Sequence, residues 1–409
     1  MERVSSFRQS PAVLITAILL LAVNLRLSVN ALGAVLPEIR QELHLSGALA
    51  GVLLALPPLV FAFAGIGTPA IAARIGSSRL VASALVLATA GQLLRIWIDG
   101  IAALFAGTLV TLVGIAIGNV LMPGLIRFHF PHRIPTLTAL YVTVLSAGAT
   151  VGSGASIPLQ HALHGTWRTG FLIWAAVTAL AVLPWLVIAI RSKSTGAGQR
   201  QAIPLRTLFR SRLAWAMALF FGMQSAHAYV AIGWLGQVLL DSGVKEVEMG
   251  ALLAMGPAIG ILLALTVPNV MRRQQRIPAL LISFATSFLI GYLGLLAAPT
   301  AAVWLWMFCI GLGSGTFPTV LTLLALRAKT GNGVIALSAF TQCVGYLLAA
   351  LGPLAFGLLH DLTDSWTPSL IGMIALLVPM LAIGFRLARE RFLEDELRSQ
   401  MPSTAISPP

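Results

Sequence analysis

Twelve long apolar stretches follow one another along these 409 residues, and they constrain the fold more than any other feature. A helix needs about 20 mainly apolar residues to cross the hydrocarbon core of a bilayer. With 58% hydrophobic and only 10% charged residues, the chain has too little polar surface for a water-soluble domain of its size. We therefore predict an all-α membrane protein with twelve transmembrane helices. The stretches cover residues 11–36, 48–73, 80–98, 101–126, 136–160, 168–190, 213–240, 248–271, 277–298, 301–326, 333–359 and 367–385.

The basic residues are distributed unevenly between the two ends of the predicted helices. Of the 26 Lys and Arg residues, 21 fall in alternate loops and at both termini, while only four fall in the opposite loops. Cytoplasmic loops of membrane proteins carry this excess of basic residues. The pattern predicts a multi-pass protein of the bacterial inner membrane with both termini in the cytoplasm. It also explains the formal charge of +13 without a nucleic-acid partner.

Arg26 is the one charged residue that the predicted helices place deep in the bilayer. A guanidinium at the centre of a membrane helix costs roughly 2.5–3.5 kcal/mol on insertion scales, so it should face a protein interior or a wet cavity. Its planar fork of donors suits carboxylates, nitro groups and small oxyanions. No Asp or Glu falls in the core of the predicted helices. We predict that Arg26 contacts substrate; the alternative is a structural arginine bonded to helix-end carbonyls.

The chain also repeats itself. The run Gly51–Pro58 returns 199 residues later as Gly250–Pro257, and Gly118–Pro123 shares its Gly-x4-Pro pattern with Gly313–Pro318. An offset of six spans keeps the orientation, so two parallel six-helix halves are expected. The predicted domains are residues 1–191 for the first half, 192–211 for a cytoplasmic linker, 212–390 for the second half and 391–409 for a cytoplasmic tail.

Several runs of the sequence together resemble one transporter family. They are Asn24-Leu25-Arg26, Gly118–Pro123, Gly313–Pro318, Gln342–Pro353, His360-Asp361 and Ser365-Trp366. In that order they are similar to the cyanate permease / 2-nitroimidazole transporter (CynX/NimT) family. The resemblance implies the major facilitator superfamily fold of twelve helices and transport of a small nitrogenous or anionic solute, with the site near the midplane between the halves.

Two glycine-containing segments bear on how such a protein moves. The superfamily's loop between the second and third helices usually carries an Asp, but here Ala73 stands at that position while Arg74, Gly76 and Arg79 are retained. An acid-based latch at that loop is therefore not expected. Gly148, Gly152 and Gly154 resemble an antiporter motif, but small residues at this spacing also let helices pack closely, and we favour the packing interpretation.

Other polar residues fall at a similar predicted depth to Arg26. Asn30 lies one turn after Arg26 on the same helix face, and Gln224 lies one turn before His227. We predict one ring of donors, acceptors and aromatic groups around a cavity. Its members are Arg26, Asn30, Asn119, Gln224, His227, Gln342 and Tyr346. Each has a structural alternative, such as an interhelical hydrogen bond for His227 and Asn119.

Two mechanisms remain open. In one, an anionic or polar substrate neutralises Arg26 and the halves rock around it, as uniport or exchange. In the other, His227 carries a proton, because histidine is the titrating group left at this depth. We slightly favour the first. The expected partners are a small-molecule substrate, the lipid bilayer and, in the second scheme, protons; we expect a monomer without a cofactor or a bound metal.

Other functional classes fit the sequence less well. No nucleophile triad, metal-ligand cluster or soluble domain supports an enzyme. A multidrug efflux antiporter and a transporter-like membrane sensor are the alternatives that we retain. A deep cation in a predicted core that contains no Asp or Glu suits anions better than lipophilic cations, and the C-terminal segment offers little to signal with.

The charge distribution predicts the sidedness of the chain. Reporters fused after Arg210 and after Arg398 should both be active in the cytoplasm, whereas one fused near Lys245 should be active in the periplasm. Paired alkaline phosphatase and fluorescent protein fusions measure this directly. Opposite locations for the first two fusions would be incompatible with an even number of spans.

Overall fold

The computed structural model describes residues 11–191 and 205–399, and within them every regular element is helical. Most of the predicted linker, at 192–204, the end of the predicted tail, at 400–409, and Arg3 and Arg8 lie outside the described residues. The helices are α1 Pro11–Leu43, α2 Gly47–Ile75, α3 Ser77–Trp97, α4 Ile101–His129, α5 Ile134–Ala162, α6 Trp167–Arg191, α7 Leu205–Leu208, α8 Arg212–Gly233, α9 Leu235–Asp241, α10 Glu246–Met271, α11 Ile277–Ala297, α12 Val303–Gly313, α13 Thr316–Leu326, α14 Gly331–Ala349, α15 Leu351–Thr363, α16 Thr367–Ala388 and α17 Leu393–Ser399, with a 3₁₀ turn at Gln274–Arg276.

Eleven segments of the described chain are helical, long and apolar enough to cross a membrane. Two of them join consecutive helices, since Val303–Leu326 contains α12 and α13 and Gly331–Thr363 contains α14 and α15. The seventh predicted stretch, 213–240, is formed by α8 and α9 and is not among the eleven. Gln224, Ser225 and His227 lie in the middle of α8 and lower its hydropathy.

The helices form two compact units. The described part of unit 1 consists of residues 11–31 and 64–191, and that of unit 2 consists of residues 32–63 and 205–399. Thus α1 and α2 each contribute one part to unit 1 and the other part to unit 2. The helix α1 also runs seven residues beyond the predicted end at residue 36, as far as Leu43.

Glycines bring the helix backbones of unit 1 together. A side chain at Gly114 would collide with the Ala84 carbonyl, so α3 and α4 touch through their main chains there. In the same way Gly148 and Gly152 of α5 abut the carbonyls of Val23 and Leu27 on α1. In a membrane, helix association depends on this close packing because lipid tails offer no hydrophobic driving force. These two glycines therefore support the packing interpretation of the helix 5 series.

Unit 2 is built around α8. A Cβ at Gly222 would contact Leu348 and Gly345 on α14, which shows how closely the two helices pack. The parts of α1 and α2 that belong to unit 2 use the same device. Gly33 abuts the Ile232 carbonyl of α8, and Gly51 abuts the Pro353 carbonyl of α15.

The retained motif residues lie where α2 meets α3: Arg74 is near the end of α2, Gly76 connects the two helices and Arg79 lies in the first turn of α3. Gly76 has a φ of 91°, a left-handed conformation in which a Cβ would be strained. Arg74, in the last turn of α2, and Arg79 are exposed, as is Ala73 at the position where the superfamily usually has an Asp. Gly76 is thus explained by the backbone turn alone.

The short helix α17 closes one end of unit 2. Glu394 accepts hydrogen bonds from the backbone of Lys329 (2.9 Å) and from the backbone (2.9 Å) and hydroxyl (2.8 Å) of Thr330, next to the first turn of α14. Glu396 accepts from the backbone of Arg212 (2.6 Å) and Leu213 (3.1 Å) at the start of α8. These carboxylates accept from backbone N–H groups at or just before the first turns of α14 and α8, at the positive end of each helix dipole.

The Glu394 cap predicts a pH-dependent contribution to stability. Burial of the carboxyl raises its pKa, but the hydrogen bonds from Lys329 and Thr330 outweigh burial and keep the pKa of Glu394 below its ordinary value. A depressed pKa stabilises the fold above the unfolded value of about 4.3, and that stability is lost as the pH falls through the folded pKa.

Glu394→Gln should therefore lower the apparent Tm of the detergent-purified protein at pH 7, at a cost of about 1 kcal/mol, as for a lost helix cap. The difference from the parent should shrink below about pH 4, where Glu394 itself becomes protonated. Glu390→Gln is the matched control, since Glu390 is exposed. Equal melting temperatures for Glu394→Gln and its parent at pH 7 would show that the cap contributes nothing.

Candidate functional site

The candidate site residues of unit 1 lie on α1 and α4. Arg26 is half-buried near the middle of the span, and Asn30 is buried one turn further along. Both share the face of α1 that carries Val23 and Leu27, the two residues against which the α5 glycines pack. Because these glycines lack side chains, the backbone of α5 runs directly beside the Arg26 face.

The two candidate amide side chains of unit 1 each form a hydrogen bond with α5. Asn30 Nδ2 donates to Ser153 Oγ at 3.3 Å, while Asn30 Oδ1 is buried without a hydrogen-bond partner among the described residues. Asn119, half-buried on α4, accepts a hydrogen bond from Tyr141 Oη at 3.1 Å. Each amide is thereby oriented by one partner and keeps further bonding capacity, which is what a polar substrate requires.

The opposite face of α1 carries a polar network that the sequence analysis missed. Thr178 Oγ1 of α6 donates to Asn24 Oδ1 at 2.7 Å and accepts from Gln92 Nε2 of α3 at 2.8 Å. Ser28 Oγ donates to Gln92 Oε1 at 3.3 Å. All four residues are buried. The spacing of Asn24 and Ser28, four residues apart, was the available signal, but their partners on α3 and α6 could not be identified from it.

This network fixes the rotation of α1. With Asn24 and Ser28 bonded towards α3 and α6, residues 100–200° further round the helix must face elsewhere. Arg26 and Asn30 are those residues. The network therefore holds Arg26 on the α5 side of the helix. Within the run Asn24-Leu25-Arg26, Asn24 bonds towards α3 and α6 while Arg26 faces α5.

The histidine candidate of unit 2 is enclosed between helices. His227 has no exposed surface; its Nδ1 lies 3.0 Å from Tyr292 Oη of α11, and its ring stacks on Phe288 with centroids 4.7 Å apart. His227 Nε2 has no hydrogen-bond partner among the described residues. This environment is that of an interhelical hydrogen bond between α8 and α11.

Tyr346, on α14, packs against a different face of α8 from the one that carries His227. Its ring packs against Phe221 (4.9 Å), Tyr229 (6.3 Å) and Phe61 (5.8 Å between centroids), so it joins α14 to α8 and α2. Phe221 and Tyr229 lie on the side of α8 opposite His227. Within unit 2 the structure thus does not bring His227 and Tyr346 together.

The two glutamines bond to residues on their own helices. Buried Gln224 donates from Nε2 to Ser225 Oγ at 2.6 Å. Half-buried Gln342 donates to Ser338 Oγ at 2.9 Å, one turn earlier on α14. Because these bonds stay within one helix, they do not tie either glutamine to a neighbouring helix. Each glutamine therefore remains a candidate contact for a ligand.

Long apolar helices with buried polar groups at mid-span are typical of membrane proteins that move a polar solute. The family model described as Major Facilitator Superfamily matches residues 18–353, and the chain belongs to that family. A 2-nitroimidazole transporter of Escherichia coli (strain K12) is 35% identical over 385 residues, covering 93% of this chain and 96% of that protein. The cyanate transport protein CynX of the same strain is 28% identical over 385 residues, covering 93% and 98%.

The fold comparison agrees with the family. A crystal structure of a bacterial homolog to the human lysosomal transporter Spinster, in an inward-facing and unoccupied conformation, superposes with a TM-score of 0.75 at 14% identity. It covers 97% of this chain and all of that one. The predicted superfamily fold and the resemblance to the cyanate permease / 2-nitroimidazole transporter family are confirmed, and the chain is a multi-pass membrane transporter rather than an enzyme.

Proposed function

We propose that this protein is a secondary transporter that moves a small anionic or nitrogenous polar solute across the bacterial inner membrane by alternating access. Cyanate and nitroimidazoles are the model substrates, because this chain aligns with a 2-nitroimidazole transporter and with a cyanate transport protein over nearly their whole length. We further propose a monomer with both termini in the cytoplasm. Arg26 at mid-span is the observation that carries the choice of substrate class.

The chemistry of Arg26 suits such a solute. A guanidinium has five N–H donors in a rigid plane, so it can bind protein groups and still offer two parallel donors to a nitro group or an oxyanion. The half-buried position on α1 keeps the charge partly accessible, while the α5 backbone passes close to the same face because Gly148 and Gly152 have no side chains. Away from bulk water these charged hydrogen bonds are stronger than in solution.

Neutral polar groups complete the proposed contacts in each unit. In unit 1 they are Asn30, whose Nδ2 carries a second N–H besides the one that it donates to Ser153, and Asn119, which Tyr141 orients. In unit 2 they are Gln224, Gln342 and Tyr346. A nitro or cyanate group needs donors, and the amides of asparagine and glutamine supply them without adding charge.

Of the two coupling schemes, uniport or exchange around Arg26 has the better support. This scheme requires only that Arg26 is partly accessible to substrate, and the Arg26 side chain is half-buried. The proton scheme requires His227 to exchange protons, yet this ring is fully buried, stacked on Phe288 and bonded to Tyr292. We therefore propose that His227 holds α8 to α11 and does not meet substrate.

Removal of the Arg26 charge should weaken substrate binding. Hydrogen bonds to charged groups contribute about 1.5–3 kcal/mol, so Arg26→Ala should lower affinity about tenfold to a hundredfold or more. Arg26→Lys keeps the charge but loses the fork, so it should be only partly active. The measurement is uptake of cyanate and of 2-nitroimidazole by proteoliposomes, with and without a pH gradient.

Arg133→Ala is the control for this experiment, because Arg133 is exposed outside the spans. Its uptake should equal that of the parent. If Arg26→Ala is monodisperse and transports both solutes normally, the anchor hypothesis fails. A preference of the parent protein for lipophilic cations over both solutes would instead favour the multidrug antiporter.

His227→Gln distinguishes the coupling schemes. If His227 carries the proton, the variant should lose the dependence of uptake on a pH gradient while still exchanging substrate. We expect that dependence to be unchanged and the apparent Tm to fall, with a similar fall for Tyr292→Phe, because both variants disturb the bond between α8 and α11. A variant of normal stability that has lost gradient dependence would restore the proton scheme.

A further inference from the structure

We propose that Asp361 is the latch of a gate at the end of unit 2 where α2 begins. Its carboxylate makes two short hydrogen bonds, accepting from Gly47 N at 2.8 Å (Oδ1) and from Ala48 N at 2.7 Å (Oδ2). Both carboxylate oxygens are thus used on the first turn of a helix more than 300 residues away along the chain. The gate opens when the carboxylate leaves that turn.

The start of α2 does not need Asp361 in order to be helical. Ser46 Oγ accepts from Leu49 N at 3.2 Å, and the Ser46 carbonyl accepts from Ala50 N at 2.9 Å, so the helix has a cap of its own. The bond from Ala48 N to Asp361 is exposed. Water can therefore replace the carboxylate when it departs, and the helix survives the opening.

The surfaces that meet at this latch are shaped for close contact. On α15, Pro353, Gly357 and Asp361 follow at intervals of four residues and form one stripe, as Gly47 and Gly51 do on α2. A Cβ at Gly47 would collide with Asp361 and with the Gly357 carbonyl. The carboxylate reaches the α2 backbone because glycines remove the side chains between the two helices.

A second polar contact lies at the same end of the unit. The Arg40 guanidinium of α1 lies over the Trp234 ring at 5.2 Å, and Trp234 Nε1 donates to the Pro353 carbonyl at 2.9 Å. Arg40 also interacts electrostatically with Asp241 and Asp361. The parts of α1 and α2 in unit 2 are therefore joined to α8 and α15 through charged groups that water can solvate. Alternating access requires contacts of this reversible kind.

Accessibility of a buried position behind the latch tests the proposal. Leu54 is 4% exposed and lies against Gly233 of α8, two turns inward from Gly47. In full-length protein with Cys309→Ala and Cys343→Ala, Leu54→Cys should react slowly with a membrane-impermeant maleimide applied separately to each face of the membrane. Adding Asp361→Asn or Asp361→Ala should speed labelling from one face about tenfold, as expected for a lost charged hydrogen bond.

Two further variants separate the latch from general loosening. Gly47→Ala should also speed the labelling, because it prevents the close approach while it leaves the carboxylate in place. Gly65→Ala on the same helix and Asp364→Asn beyond the end of α15 should not, since Gly65 faces open space and Asp364 is an exposed residue at the C-cap.

Labelling at the parent rate in both Asp361→Asn and Gly47→Ala would overturn the latch. Equal acceleration by Asp364→Asn would also overturn it, since any loss of negative charge would then suffice. Monodispersity on size exclusion identifies variants that fail to fold, and Asp361→Asn, which retains one acceptor oxygen, serves if Asp361→Ala does not assemble. The readout needs no substrate, so its outcome is independent of the role proposed for Arg26.

Discussion

The structure depends on the need of every backbone N–H and C=O group in hydrocarbon to find a partner within the protein. Helices satisfy this need within one segment, and the described chain uses no other regular element. The second requirement is that the helices pack together although no hydrophobic driving force acts between them in the bilayer. Glycines such as Gly114 in unit 1 and Gly222 in unit 2 meet that requirement by letting backbones touch.

Against that apolar background, each buried polar group has a definite structural consequence. The bonds of Asn24 and Ser28 to α3 and α6 fix the rotation of α1, and this rotation places Arg26 beside the glycines of α5. The position of the proposed substrate anchor is therefore a result of a neutral network on the other side of the same helix. Substitutions at Gln92 or Thr178 would act on Arg26 through that rotation.

The same electrostatic device occurs at both ends of the segment that contains α14 and α15. At its beginning, the Glu394 carboxylate binds next to the first turn of α14; at its end, Asp361 binds the first turn of α2. A carboxylate at a helix N-terminus is favoured by the free N–H groups and the helix dipole. The Glu394 bonds join α17 to the turn before α14, 65 residues earlier at Lys329. The Asp361 bonds, in contrast, join parts of the chain that must separate if the gate opens.

The sequence by itself determined the apolar helices, the family and the position of Arg26 along α1, because hydropathy and sequence motifs can be read directly from the chain. It also predicted the shared face of Arg26 and Asn30, which follows from helical periodicity. Only the tertiary structure decided that His227 faces Tyr292 while Tyr346 lies on the opposite side of α8, and that Asp361 binds Gly47. The physical reason is that periodicity gives the direction of a side chain around its own helix, whereas the neighbour it meets there depends on how all the other helices pack.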